Sequence, residues 1–171
     1  GGPGRLDGKF QTAGGLPDAQ GWVGIDLTQR TIVRWQASTY NAALLDPGAS
    51  PNYAMWCGED FAACDAEDPP GGYGNGWDEW LDWYGAVADP GFATTVRVTA
   101  RLNHDAEPDY DYLYLEVERS TGQDAVASWT GHNRVGGVFV PVDVDVTFSV
   151  PDTDYVGENN DQVHLRWRAV A

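Results

Sequence analysis

Between residues 103 and 112 the chain reads Asn-His-Asp-Ala-Glu-Pro-Asp-Tyr-Asp-Tyr, which places Asp105, Glu107, Asp109 and Asp111 at every second position. At a separation of ~5 Å and an effective dielectric of ~20, two such carboxylates repel by about 3 kcal/mol. A cation that they share reverses the sign. Ca²⁺ takes six to eight oxygens, and a loop bent at Pro108 could supply carboxylates and backbone carbonyls together. The spacing is not that of an EF-hand. Glu116 falls twelfth from Asp105, but Tyr110 stands where that loop needs Gly, and Tyr112 to Glu118 alternates like a strand. The competing reading is an acidic hairpin screened by water alone.

A second dense stretch is Gly72-Tyr-Gly-Asn-Gly-Trp-Asp-Glu-Trp-Leu-Asp-Trp-Tyr84. Rings beside acids and amides can stack on the CH faces of sugars while accepting hydrogen bonds from hydroxyls. Tyr73, Asn75, Trp77, Trp80 and Trp83 are the candidate carbohydrate contacts. In a strand, Trp80, Asp82 and Tyr84 share one face, and Leu81 and Trp83 the other. The alternative is that most of these rings fill the core. Catalysis has little to rest on, because HExxH, GxSxG, the P-loop and GxGxxG are all absent. Glu116 with Glu118, or Asp143 with Asp145, could be paired for glycoside hydrolysis, but on an outward strand face such pairs read as solvated surface. Cys57 and Cys64 are separated by six residues, which is wrong for a CxxC metal or redox pair. A local disulfide between them, and with it an oxidising extracellular setting, is one expectation; two buried thiols are the other.

The elements that must position these groups are strands. Seven apolar residues alternate from Val138 to Val150, with Pro141 predicting an edge position or a bulge. Val96, Val98, Ala100 and Leu102 alternate within 94–102. Leu113, Leu115 and Val117 oppose Tyr112, Tyr114 and Glu116. Val163, Leu165, Trp167 and Ala169 oppose His164, Arg166 and Arg168. With shorter runs at 31–37, 53–57, 80–87 and 125–130, the pattern predicts an all-β antiparallel sandwich of the jelly-roll type with eight or nine strands. Residues 1–20 read as a Gly-rich linker or arm and 21–171 as the sandwich domain. Residues 46–76 are loop-dominated, with the cysteines as the expected tie.

Composition narrows the partners. The 171 residues carry 26 Asp and Glu against 10 Lys and Arg, a formal charge of −16, which repels nucleic acid and anionic membranes alike. No apolar run reaches the ~20 residues of a membrane helix, so no membrane insertion is expected. The start at Gly1-Gly2-Pro3 reads as a processed or excised piece of a larger protein.

Six segments together carry a resemblance: Gly21-Trp22-Val-Gly-Ile-Asp26, Trp35, Met55-Trp56-Cys57-Gly58, Gly72 to Trp77, Asp105 to Tyr112, and Val163-His-Leu-Arg-Trp167-Arg. Over residues 20–170 the chain resembles MAM-like extracellular jelly-roll accessory domains. Such domains are found with immune-inhibitor-A-type secreted metallopeptidases and in large bacterial surface proteins. The resemblance implies structural calcium at the acidic hairpin, an extracellular or cell-surface location and a non-catalytic role. It also implies a closing strand after residue 169, so the ending at Ala171 predicts a missing closing strand and a bare sheet edge at Val163–Ala169. The N-terminal arm, another part of the parent protein or a neighbouring copy would cover it.

The expected function is a calcium-stabilised, non-catalytic extracellular module for adhesion, assembly into a surface layer or filament, or accessory binding. Its partners would be other domains of a larger parent or copies of itself. A carbohydrate-binding module using the aromatics of 73–84 is the alternative, and a glycan-active hydrolase a third reading.

Overall fold

The computed structural model describes residues 22–26, 35–39, 42–48, 52–57 and 77–171. The chain is an antiparallel β-sandwich. Its strands are β1 (Trp22–Asp26), β2 (Trp35–Ser38), β3 (Ala54–Cys57), β4 (Asp78–Ala86), β5 (Thr94–Leu102), β6 (Tyr112–Arg119), β7 (Gly122–Trp129), β8 (Arg134–Val135), β9 (Val138–Phe139), β10 (Val142–Val150) and β11 (Gln162–Val170). One helical turn, α1 (Ala42–Leu45), lies between β2 and β3. Eleven strands among the described residues exceed the expected eight or nine because β1 and the short β8 lie outside the expected runs and the segment around Pro141 is not one strand. Pro141 has no N–H to offer a ladder, and the chain divides there into β9 and β10. β8 and β9 close as a hairpin over Gly136 and Gly137, whose φ angles of 59° and 81° suit the mirror-image turn that joins twisted strands. Val138 and Val140, expected on the inward face, are instead exposed on this hairpin and the link beyond it.

Five strands form the main sheet in the order β1-β4-β11-β6-β7. Opposite it lie the β5–β10 pair and the β2–β3 pair. The chain passes between layers as it goes, with β5 and β10 interposed among strands of the main sheet, as in a jelly roll. Leu81, Leu115, Val117, Val163 and Leu165 meet Val98 and Val150 in one buried cluster, with Trp35, Met55, Trp83, Trp129 and Trp167 packed around it. Of these, Val98, Leu115, Val117, Val150, Val163, Leu165 and Trp167 are residues that alternation assigns to an apolar face. Gly85 makes room in this layer, because a Cβ there would sit 1.9 Å from the Trp83 ring.

The expected bare edge at Val163–Ala169 is not present. β11 is the central strand, paired with β4 along its whole length and with β6 from Leu165 to Val170. Trp77 and Ala171 extend that ladder by exchanging backbone hydrogen bonds of 3.0 and 3.1 Å. The strand expected to await a partner is the one that has two.

Turns at the ends of the sheet are held by carboxylates. Asp154, nearly buried in the 3-10 turn after β10, accepts the Ser120 N–H at 3.0 Å and so caps the tight turn between β6 and β7. That hydrogen bond, aided by Arg119, outweighs desolvation and holds the Asp154 carboxyl below the usual range.

Candidate functional site

The outer face of β4, β11 and β6 carries a continuous charged and aromatic lattice. Alternation puts Asp78, Trp80, Asp82 and Tyr84 of β4 on this face. β11 contributes His164, Arg166 and Arg168, and β6 contributes Tyr112, Tyr114, Glu116 and Glu118. Register then builds rows across the three strands. Asp82, Arg166 and Glu116 form one row, and Trp80, Arg168 and Tyr114 the next. The central strand is therefore a column of cations flanked on both sides by carboxylates.

The pairing is tight. Arg166 Nε and Nη2 donate to the two oxygens of Asp82 at 2.6 and 3.1 Å, with both side chains buried. Arg168 makes the same two-pronged contact with Asp78 at 2.7 and 2.8 Å, and its Nη1 lies 3.6 Å from Glu116 Oε1. The Arg166 guanidinium also sits 3.3 Å from the centroid of the Trp80 ring, a cation–π contact. Desolvation works to raise the Asp82 carboxyl. The close approach of His164 and the two hydrogen bonds from Arg166 overcome it and hold the group below the usual carboxylate range. The same balance, with Arg168 and the Trp80 indole as donors, lowers Asp78.

His164 lies between two acids. Its Nδ1 meets Glu118 Oε2, and its Nε2 is 3.0 Å from Asp82 Oδ1. Burial works to lower the imidazole pKa, but the two carboxylates outweigh it and raise the group above its ordinary value. The Tyr84 ring stacks on the imidazole at 4.3 Å and 6°. On β6, Tyr112 and Tyr114 stack on each other at 5.5 Å and 17°.

Of the five expected carbohydrate contacts, Trp80 alone is seen on this outer face, and it is half-buried. Trp77 is buried, and Trp83 packs on the core cluster with the Leu81 side of β4. Tyr73 and Asn75 lie outside the described residues, as does Cys64. Cys57 ends β3 opposite Trp35. The aromatic surface that the fold does assemble joins Trp80 and Tyr84 with Tyr112 and Tyr114 from another strand. The alternation of Tyr112 and Tyr114 against Leu113 and Leu115 was the readable signal for half of it.

Glu116, expected to be solvated on an outward face, is only 6% exposed, and its Oε2 has no hydrogen-bond partner. Glu118, its expected partner for hydrolysis, is the one engaged with His164. Asp143 and Asp145 project from β10 into solvent, where Arg101 and Arg97 of β5 meet them. Exposed pairs of this kind contribute little to stability.

The acidic segment is a turn braced by its own hydrogen bonds. Asp105 pairs with Arg134 at 2.6 Å. Asp111, nearly buried, accepts the Glu107 N–H at 3.1 Å, and its own N–H donates to the Glu107 carbonyl at 3.0 Å. Asp109 takes a left-handed φ of 67°, and its N–H donates to Thr130 Oγ1. Among the described residues, no three His, Cys, Asp or Glu stand where they could hold a metal ion. Calcium here would share Asp105 with Arg134 and Asp111 with the Glu107 amide. Among the same residues no helix is long and apolar enough to cross a membrane. Compared with protein-family models, curated proteins and solved structures, the chain matches none of them.

Proposed function

We propose that the chain is a non-catalytic, extracellular binding module that takes a neutral glycan on the outer face of its main sheet. The observation that carries this reading is the joining of Trp80, Tyr84, Tyr112 and Tyr114 on one face whose central charges are already paired. Charges satisfied internally have little to offer an ionic ligand. Tyr84 is 47% exposed and Trp80, Tyr112 and Tyr114 are half-buried on the same face, and such rings suit the CH faces of a sugar, with Glu118, Arg168 and Asp78 as hydrogen-bonding partners. The same pairing argues against acid–base work, since Arg166 holds Asp82, Arg168 holds Asp78 and His164 holds Glu118. The resemblance to MAM-like accessory domains supports the extracellular setting and an adhesive or accessory role. The reading needs no calcium. It is tested on a glycan array and then by titration calorimetry with the wild type and with Tyr84→Ala and Tyr112→Ala. Binding that is lost in both variants, with unchanged circular dichroism, is expected. An array blank for every neutral glycan overturns the glycan assignment and leaves adhesion through protein contacts.

A further inference from the structure

His164 is contacted from all three central strands of the sheet. Asp82 and Tyr84 face it from β4, Glu118 from β6, and Arg166, two residues along β11, shares Asp82 with it. A neutral imidazole has one N–H and one lone pair, so between two carboxylates it must aim the lone pair at an anionic oxygen. The imidazolium donates Nδ1–H to Glu118 and sets its charge against Asp82, whose Oδ1 lies 3.0 Å from Nε2 outside hydrogen-bond geometry. The two acids differ in what they can do without that donor. Asp82 is 2% exposed and retains the two hydrogen bonds of Arg166. Glu118 is 38% exposed and has water within reach.

We propose that Asp82, His164 and Glu118 form a proton-operated clamp that ties β4, β11 and β6 together and holds Tyr84 flat on the outer face while the ring carries its second proton. On deprotonation the proton leaves Nδ1 for water, Nε2–H stays beside buried Asp82 without the charge that paired them, and Glu118 swings into solvent. Tyr84, 47% exposed and stacked on the imidazole, then loses the charged partner that fixes its ring. Opposition from the Arg166 charge and from burial is outweighed by two carboxylates, so release occurs on the alkaline side of the ordinary histidine range. The clamp does not depend on what the face binds.

Ring-proton NMR of the full chain, titrated from acid to alkaline pH, tests it without any ligand. His164 is expected to titrate above the histidines of the same chain unfolded in urea, and the Tyr84 ring resonances should shift with the same midpoint. In Glu118→Gln the His164 midpoint should fall, and in His164→Gln the Tyr84 response should vanish. Should His164→Gln fail to fold, Glu118→Gln decides, because Glu118 is partly exposed and its replacement leaves the Asp82–Arg166 pair in place. A His164 midpoint at or below the unfolded value, or a Tyr84 ring indifferent to the His164 titration, overturns the clamp.

Discussion

Arg166→Met takes away the two hydrogen bonds that neutralise Asp82 while leaving the carboxylate buried at 2% exposure. Stranding one member of a buried pair costs about 3–5 kcal/mol, because the remaining charge is desolvated without compensation. The cation–π contact with Trp80 adds about 1 kcal/mol in the same direction. His164, 3.0 Å from Asp82, offsets part of this while protonated. The net loss should therefore be about 3–5 kcal/mol at acid to neutral pH and larger where His164 is neutral. For a chain of this size about 1 kcal/mol moves the melting midpoint by ~2–4 °C, so a fall of ~6–20 °C is expected. Urea unfolding at two pH values measures it. The double variant Asp82→Leu with Arg166→Met should recover most of the loss, since an apolar pair of similar volume avoids desolvating charge. A single variant within ~1 kcal/mol of wild type would refute the reasoning. So would a double variant as unstable as the single, because the penalty would then come from packing and not from an unpaired charge.

Two further outcomes follow from the packing and the acidic turn. Gly85→Ala should destabilise by about 1–3 kcal/mol through overpacking against the Trp83 ring, read by thermal melting and by a change in tryptophan fluorescence. Asp111→Ala should cost about 1–2 kcal/mol by leaving the Glu107 amide without its acceptor, and by the same amount in calcium and in chelator. A loss that appears only in calcium would instead assign Asp111 to a metal.

Much of the sandwich is written in local alternation. Val96 and Val98, Leu113 to Val117, and Val163 to Ala169 show their inward faces at period two, and the structure places Val98, Leu115, Val117, Val163 and Leu165 in the buried cluster. Alternation is a property of one strand, so it is readable before any partner is known. The aromatic face was half legible for the same reason: Trp80, Asp82 and Tyr84 share a face by parity alone.

What parity does not carry is pairing. His164, Arg166 and Arg168 give β11 the look of a strand with one solvated face, and its expected place at an edge rested on the resemblance and the ending at Ala171, not on its own residues. The tertiary structure makes it central. Arg166 finds Asp82 from 84 residues away, and Arg168 finds Asp78 from 90. On the other side, Arg168 approaches Glu116 and His164 meets Glu118. Four carboxylates and three cations that each look like surface in their own segment become a paired, partly buried lattice on the sheet once three strands lie side by side. Sequence alone determined which side of its strand each group occupies. Only the folded sheet decided which opposite charge would stand beside it, because charge neutralisation acts through space between strands whose neighbours are chosen by the packing of the whole domain.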